Sequence, residues 1–135
     1  MTKTKLNPDT IEEMNLKPEF YEAVIKHIWG WKQTGGGVWH HKQFAITNRD
    51  LPHEIHSGNG MLRTIQSLEE RLPKGEPQIE FEEPQEATYW IVNIWVRHAR
   101  YKATDKYLPI ATHLVTLDTL GIKPPAGSWY KVVAK

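Results

Sequence analysis

The stretch Ala87-Thr-Tyr-Trp-Ile-Val-Asn-Ile-Trp-Val-Arg-His-Ala-Arg-Tyr101 decides how this chain is expected to fold. A strand points alternate side chains to opposite sides. Read as one long strand over 87–102, it sets Trp90, Val92, Ile94 and Val96 on a face apolar enough to wall a core. Tyr89, Ile91, Asn93, Trp95, Arg97 and Tyr101 share the other face. Flat rings beside an amide and a guanidinium are equipment for stacking on a planar ligand and hydrogen-bonding its edge or a phosphate.

Further strands are expected at 78–82, at 108–117 after a hairpin-like connection over 103–106, and at 128–133 after a loop. Residues 38–47 read as another strand with an irregular middle. Helical periodicity is confined to the N-terminal half. Pro18 suits a first helical position and Glu19 a first turn. Phe20, Tyr21, Val24, Ile25, Ile28 and Trp29 then recur at helical spacing until Gly30 or the Gly35–Gly37 run ends the helix. Capping-box spacing of Asp9 with Glu12 and Thr10 with Glu13 predicts a helical turn over 11–14, behind a flexible tail over 1–9. A second helix starts at Ser57 or Asn59 as N-cap and runs to about Arg71 on the stripe Met61, Leu62, Ile65, Leu68 and Leu72. Residues 48–52 read as a turn, with Pro52 disfavouring helix in the residue before it. The expected architecture is α+β and a single domain over 1–135: two helices packed on one face of a four- to five-stranded antiparallel sheet. The sheet's other face is left open to a ligand or partner.

At 135 residues the chain is long enough to bury a core without staples. It has no cysteine, which rules out disulfides, thiolate zinc sites and cysteine nucleophiles. A formal charge of +1 argues against general double-stranded nucleic acid binding, which calls for a clear basic excess. No run approaches the length of a membrane span and the N-terminus lacks a signal-peptide core, so a cytoplasmic protein is expected. Six tryptophans are many for this length, and tryptophan is enriched in ligand pockets and interfaces as well as in cores.

Outside the long strand, residues 29–41 gather Trp29, Trp31 and Trp39 around the glycine run, with Lys32, His40 and His41 as charge. The glycines follow a helix instead of preceding one and match no phosphate-loop pattern; a helix C-cap and a loop account for them better. His53-Glu-Ile-His56 lacks the spacing of a zinc-binding helix. Adjacent His40 and His41 in a strand point apart, so no metal and no cofactor are called for. Arg49 in the 48–50 turn and Arg63 near a helix start are candidate phosphate contacts.

These residues add up to a non-enzymatic binding protein, expected to be a homo-oligomer, that holds a nucleotide-like ligand by aromatic stacking and Arg/Lys phosphate contacts. Tyr89, Asn93, Trp95, Arg97 and Tyr101 form one wall; Trp31, Trp39, His40, Arg49 and Arg63 contribute from elsewhere. A phage or mobile-element protein sequestering a nucleotide signal would have this character. Two alternatives stand beside it. One is a nuclease or phosphodiesterase using His40, His53 or His56 with Glu54 or Asp50. The other is an interaction module that docks a partner protein through the aromatic sheet face.

Overall fold

A computed structural model describes residues 16–85, 88–125 and 127–131. The expected tail, the turn over 11–14 and the last residues of the chain lie outside them. The mixed α+β class holds. In place of one sheet of four or five strands, the described residues form two antiparallel sheets of three strands each, with four α-helices.

Helix α1 (Pro18–Ala23) opens at the expected proline and widens into a π-helical turn, Val24–Ile28. The Trp29 amide reaches back five residues to the Val24 carbonyl at 3.0 Å. Trp29 and Trp31 are both buried just beyond that turn, and Arg71 donates to the Ile28 carbonyl left at its end (2.8 Å). The expected strand over 38–47 folds into a hairpin, β2 (Val38–His41) and β3 (Phe44–Thr47), turning at Lys42 with a φ of 55°. A short β1 (Lys32–Gln33) joins its other edge. Helix α2 (Leu51–Ile55) begins where a turn was expected, because Pro52 falls in its first turn and needs no amide partner there. Helix α3 (Gly58–Arg71) is as expected, with the Ser57 hydroxyl accepting from the Gly60 amide at 3.0 Å. At Gly60 a Cβ would collide with the Glu54 carbonyl, so only glycine lets α3 start this close to α2.

The second sheet runs β4 (Pro77–Glu82), β5 (Trp90–Val96) and β6 (Ala99–Asp105) in order. The long strand expected over 87–102 is two strands. It reverses at Arg97-His98, where Arg97 takes a φ of 58°. Two-residue hairpin turns of this hand usually carry Asn or Gly, so nothing in Arg-His announced the reversal, and 103–105 continues β6 instead of connecting. The reversal resets the alternation: Tyr101 pairs with Ile94 and packs toward the core, not onto the mixed face. The inward face of β5 is as expected, with Val92 and Ile94 fully buried.

The largest departure is 108–117, expected as a strand and found as helix α4 (Leu108–Thr119). Leu108, Ile110, Ala111, Val115 and Leu117 meet both core clusters of the protein, and Thr112, His113 and Thr116 are buried too. A helix enclosed on all sides has no polar stripe to reveal its period. Its threonines, which pass their hydroxyls to the carbonyls four residues back, mimic strand composition. The expected strand over 128–133 reduces to one bridge, Leu16 with Tyr130; residues 132 and 133 lie outside the described set.

Candidate functional site

The expected wall on β5 is only partly assembled. Asn93 and Trp95 do share the outward face, joined by Arg100, which stands opposite Trp95 on β6. The Arg100 guanidinium lies 5.6 Å from the Trp95 ring centroid, and its Nε donates to Asn93 Oδ1 at 3.1 Å. Asn93 Nδ2 in turn reaches Glu82 at 3.5 Å. Both ends of the amide are thus taken by neighbours. Arg97 sits in the turn, 75% exposed, with its Nε 3.3 Å from Glu76. These two groups line, with Trp95, an open depression of about 280 Å³. Tyr89 precedes β5 and is exposed, and Tyr101 is on the far side.

The residues expected from the other segments scatter as well. His40 is exposed on β2 opposite Lys32 and Ala45, and Arg49 is exposed before α2. The Arg63 guanidinium lies 5.2 Å from the Trp29 ring and 5.1 Å from the Trp31 ring, with Glu54 at 3.5 Å. Its charge is answered from three sides. His41 stacks on Trp31, the ring planes 17° apart.

Trp31 and Trp39 do meet at a cavity. Trp39 is 3% exposed, and its indole N–H donates to Asn48 Oδ1 at 2.7 Å. The glycine run makes this possible. Gly37, at a φ of 71°, lets the chain swing from β1 into β2, and a Cβ there would crowd Asn48 Nδ2 at 3.1 Å. On one side of Trp39 lies a cavity of about 310 Å³ between α1, the first sheet and α2. Its apolar walls are Leu16, Pro18, Leu51, Pro52 and the Trp39 ring, and its polar members are Tyr21, Glu22, Gln33, Asn48 and Lys131. Adjoining it lies a wider cavity of about 570 Å³ with Trp31, Lys26 and Lys32 on its walls. Glu22, Gln33 and Trp39 line both, so the two form one groove.

Behind the narrower cavity, Tyr21 Oη and His56 Nε2 are 2.8 Å apart. His56 is completely buried, and its Nδ1 has no partner. Burial, then the neighbouring His113 and His53, holds the His56 pKa down to about 3; burial pushes the Tyr21 hydroxyl up to about 12. Both groups are neutral at pH 7. The other buried histidine is fully satisfied. His113 Nε2 is 2.7 Å from the Ile55 carbonyl and so carries the proton; Nδ1 accepts from Thr64, whose oxygen accepts from the Trp29 indole, at 2.8 Å each. Its pKa falls to about 4 through burial.

No protein-family model, curated protein or solved structure matches the chain. Among the described residues no group of three or more His, Asp or Glu is placed to hold a metal ion. Of the three histidines in the nuclease reading, His56 is sealed behind Tyr21 and held neutral, while His40 and His53 are exposed on separate elements, β2 and α2. Sequence reading found Trp31 and Trp39 but not Tyr21, Glu22 or Gln33. Tyr21 looked like one more apolar position on a helix, and Asn48 like a turn residue. Only the Trp39 bond and the His56 contact give them another role.

Proposed function

We propose that the protein binds a nucleotide-like ligand without transforming it, and that the groove divided by Trp39 is where the ligand lies. The observation that carries this reading is the pairing of two unlike cavities across shared residues. The narrower one is apolar with a few converging polar groups, the usual character of a site for a flat ring system. The wider one carries Lys26 and Lys32, cations of the kind that hold phosphates. Glu22, at their junction, offers a carboxylate to sugar hydroxyls, the role acidic residues take in nucleotide sites. The base, the ribose and the phosphates thus have complementary surroundings in the right order. Sequestration of the ligand, not catalysis, is the activity that follows.

Docking of a partner through the sheet face is the weaker reading, since Asn93, Arg100, Glu82 and Trp95 already engage one another. No helix among the described residues is long and apolar enough to cross a membrane.

Native mass spectrometry of the purified protein, followed by titration with nucleoside mono-, di- and triphosphates, tests the proposal. A stoichiometric adduct in the nucleotide mass range supports it, and the same spectrum counts subunits. Lys26→Ala with Lys32→Ala should then weaken a triphosphate more than the bare nucleoside. Absence of any binding at millimolar nucleotide would overturn it.

A further inference from the structure

The orphaned nitrogen of His56 defines which ring edge the narrower cavity accepts; this step rests on the nucleotide reading above. Two tautomers of neutral His56 are open. With the proton on Nδ1, a buried N–H has no acceptor. With the proton on Nε2, that N–H donates to Tyr21 Oη and only a lone pair on Nδ1 goes unused. Orphaned buried N–H groups are the rarer and costlier of the two. The Nε2–H tautomer follows, and Tyr21, already accepting from His56, turns its own hydrogen toward the cavity it lines.

Asn48 reaches the same end by a separate route. An indole N–H only donates, so the Asn48 atom 2.7 Å from Trp39 must be the oxygen. Its Nδ2 lies beside Gly37 with no hydrogen-bond partner among the described residues, and is the donor that this exposed residue has left for a ligand in the cavity it lines. Lys131 adds a third donor to the lining, beside the Glu22 carboxylate, which only accepts, and the Gln33 amide, which does both.

We infer that the donors of Tyr21, Asn48 and Lys131 make the cavity a base site selecting guanine, whose O6 and N7 are adjacent acceptors, over adenine, which replaces O6 with an amine donor. Adenine's amine would face a hydroxyl or amide hydrogen and leave one of them unpaired.

Calorimetric titration of the full chain with GMP and AMP reads the preference. GMP should bind about tenfold tighter or more, the worth of one well-made hydrogen bond. Tyr21→Phe should bring the two affinities close together. Asn48→Asp keeps an acceptor for Trp39 while replacing the donor, so it should shift the preference toward AMP; a thermal melt confirms that each variant is folded. Nitrogen-15 shifts of His56 report the tautomer directly. Equal affinities for GMP and AMP, a preference that survives both substitutions, or a protonated Nδ1 would each overturn this inference and leave the nucleotide reading standing. Failure of both nucleotides to bind would end both.

Discussion

The outward face of β5 and the groove across Trp39 have similar ingredients: tryptophan, an amide, cations and a carboxylate. They differ in what the polar groups are doing. On β5, Arg100, Asn93 and Glu82 satisfy one another and Arg97 is answered by Glu76. In the groove, the amide spends its oxygen on Trp39 and keeps its nitrogen in reserve, and the tyrosine holds a histidine that has nothing on its other side. Residue type therefore cannot distinguish a site from a closed surface. The remaining hydrogen-bonding capacity can, because a polar group without a protein partner is free to bond a ligand.

The two buried histidines offer the hardest test of that contrast. His113 is satisfied at both nitrogens, so His113→Leu strands the Thr64 hydroxyl and the Ile55 carbonyl in the core. A loss of about 3 kcal/mol or more is expected, read from the urea midpoint. His56→Leu removes an imidazole with one empty position and should cost less than half as much. If the two cost the same, satisfied and unsatisfied polar groups are not separable here.

Acid sharpens the same comparison. Both imidazoles have an ordinary value of 6.5 and are held lower in the fold, to about 4 for His113 and about 3 for His56. Below pH 6.5 the unfolded chain takes up protons that the folded chain refuses. Their contribution is complete above that pH and declines as pH falls toward 4, by about 1.4 kcal/mol per pH unit for each histidine. Urea midpoints at pH 7, 6 and 5 check this, and His56→Leu should halve the slope.

A smaller effect is expected at Gly37. Alanine there meets the strain of a positive φ and crowds Asn48, at a cost of about 1–2 kcal/mol. Ligand affinity should fall with it, since Asn48 both anchors Trp39 and lines the cavity. The least effect belongs to the sheet face. Arg100→Ala should lower the stability read from the urea midpoint by about 1 kcal/mol, the worth of the hydrogen bond it gives the buried Asn93 oxygen, and leave nucleotide titrations unaltered. A larger change in binding would move the site back to β5.

Legibility followed exposure and punctuation. Helix α3 was readable because one face is wet and Ser57 caps it; β4 was readable between its flanking prolines. Helix α4 was not, since burial on every side removes the contrast that reveals a period, and Ile110, Thr112, Val115 and Thr116 lean toward strand propensity. The Arg97-His98 reversal lacks turn residues, so it passed as continuous strand and carried Tyr101 to the wrong side. Within the groove, the tryptophans were conspicuous by number. Tyr21 and Asn48 acquire their role from partners 35 and 9 residues away, which no local pattern encodes.

The π-helical turn at Val24–Ile28 bears on how this chain tolerates insertion and deletion. Five residues there cover about the arc that four cover in an α-helix, so the turn holds one residue more than ordinary winding needs. Removing one would let the turn close to ordinary α winding, with Trp29 still facing Thr64 and Trp31 still facing Arg63. The same loss from α3, which has no such surplus, would rotate the rest of that helix by about 100° around its axis. The chain is therefore more tolerant of a single lost residue at this turn than in its regular helices.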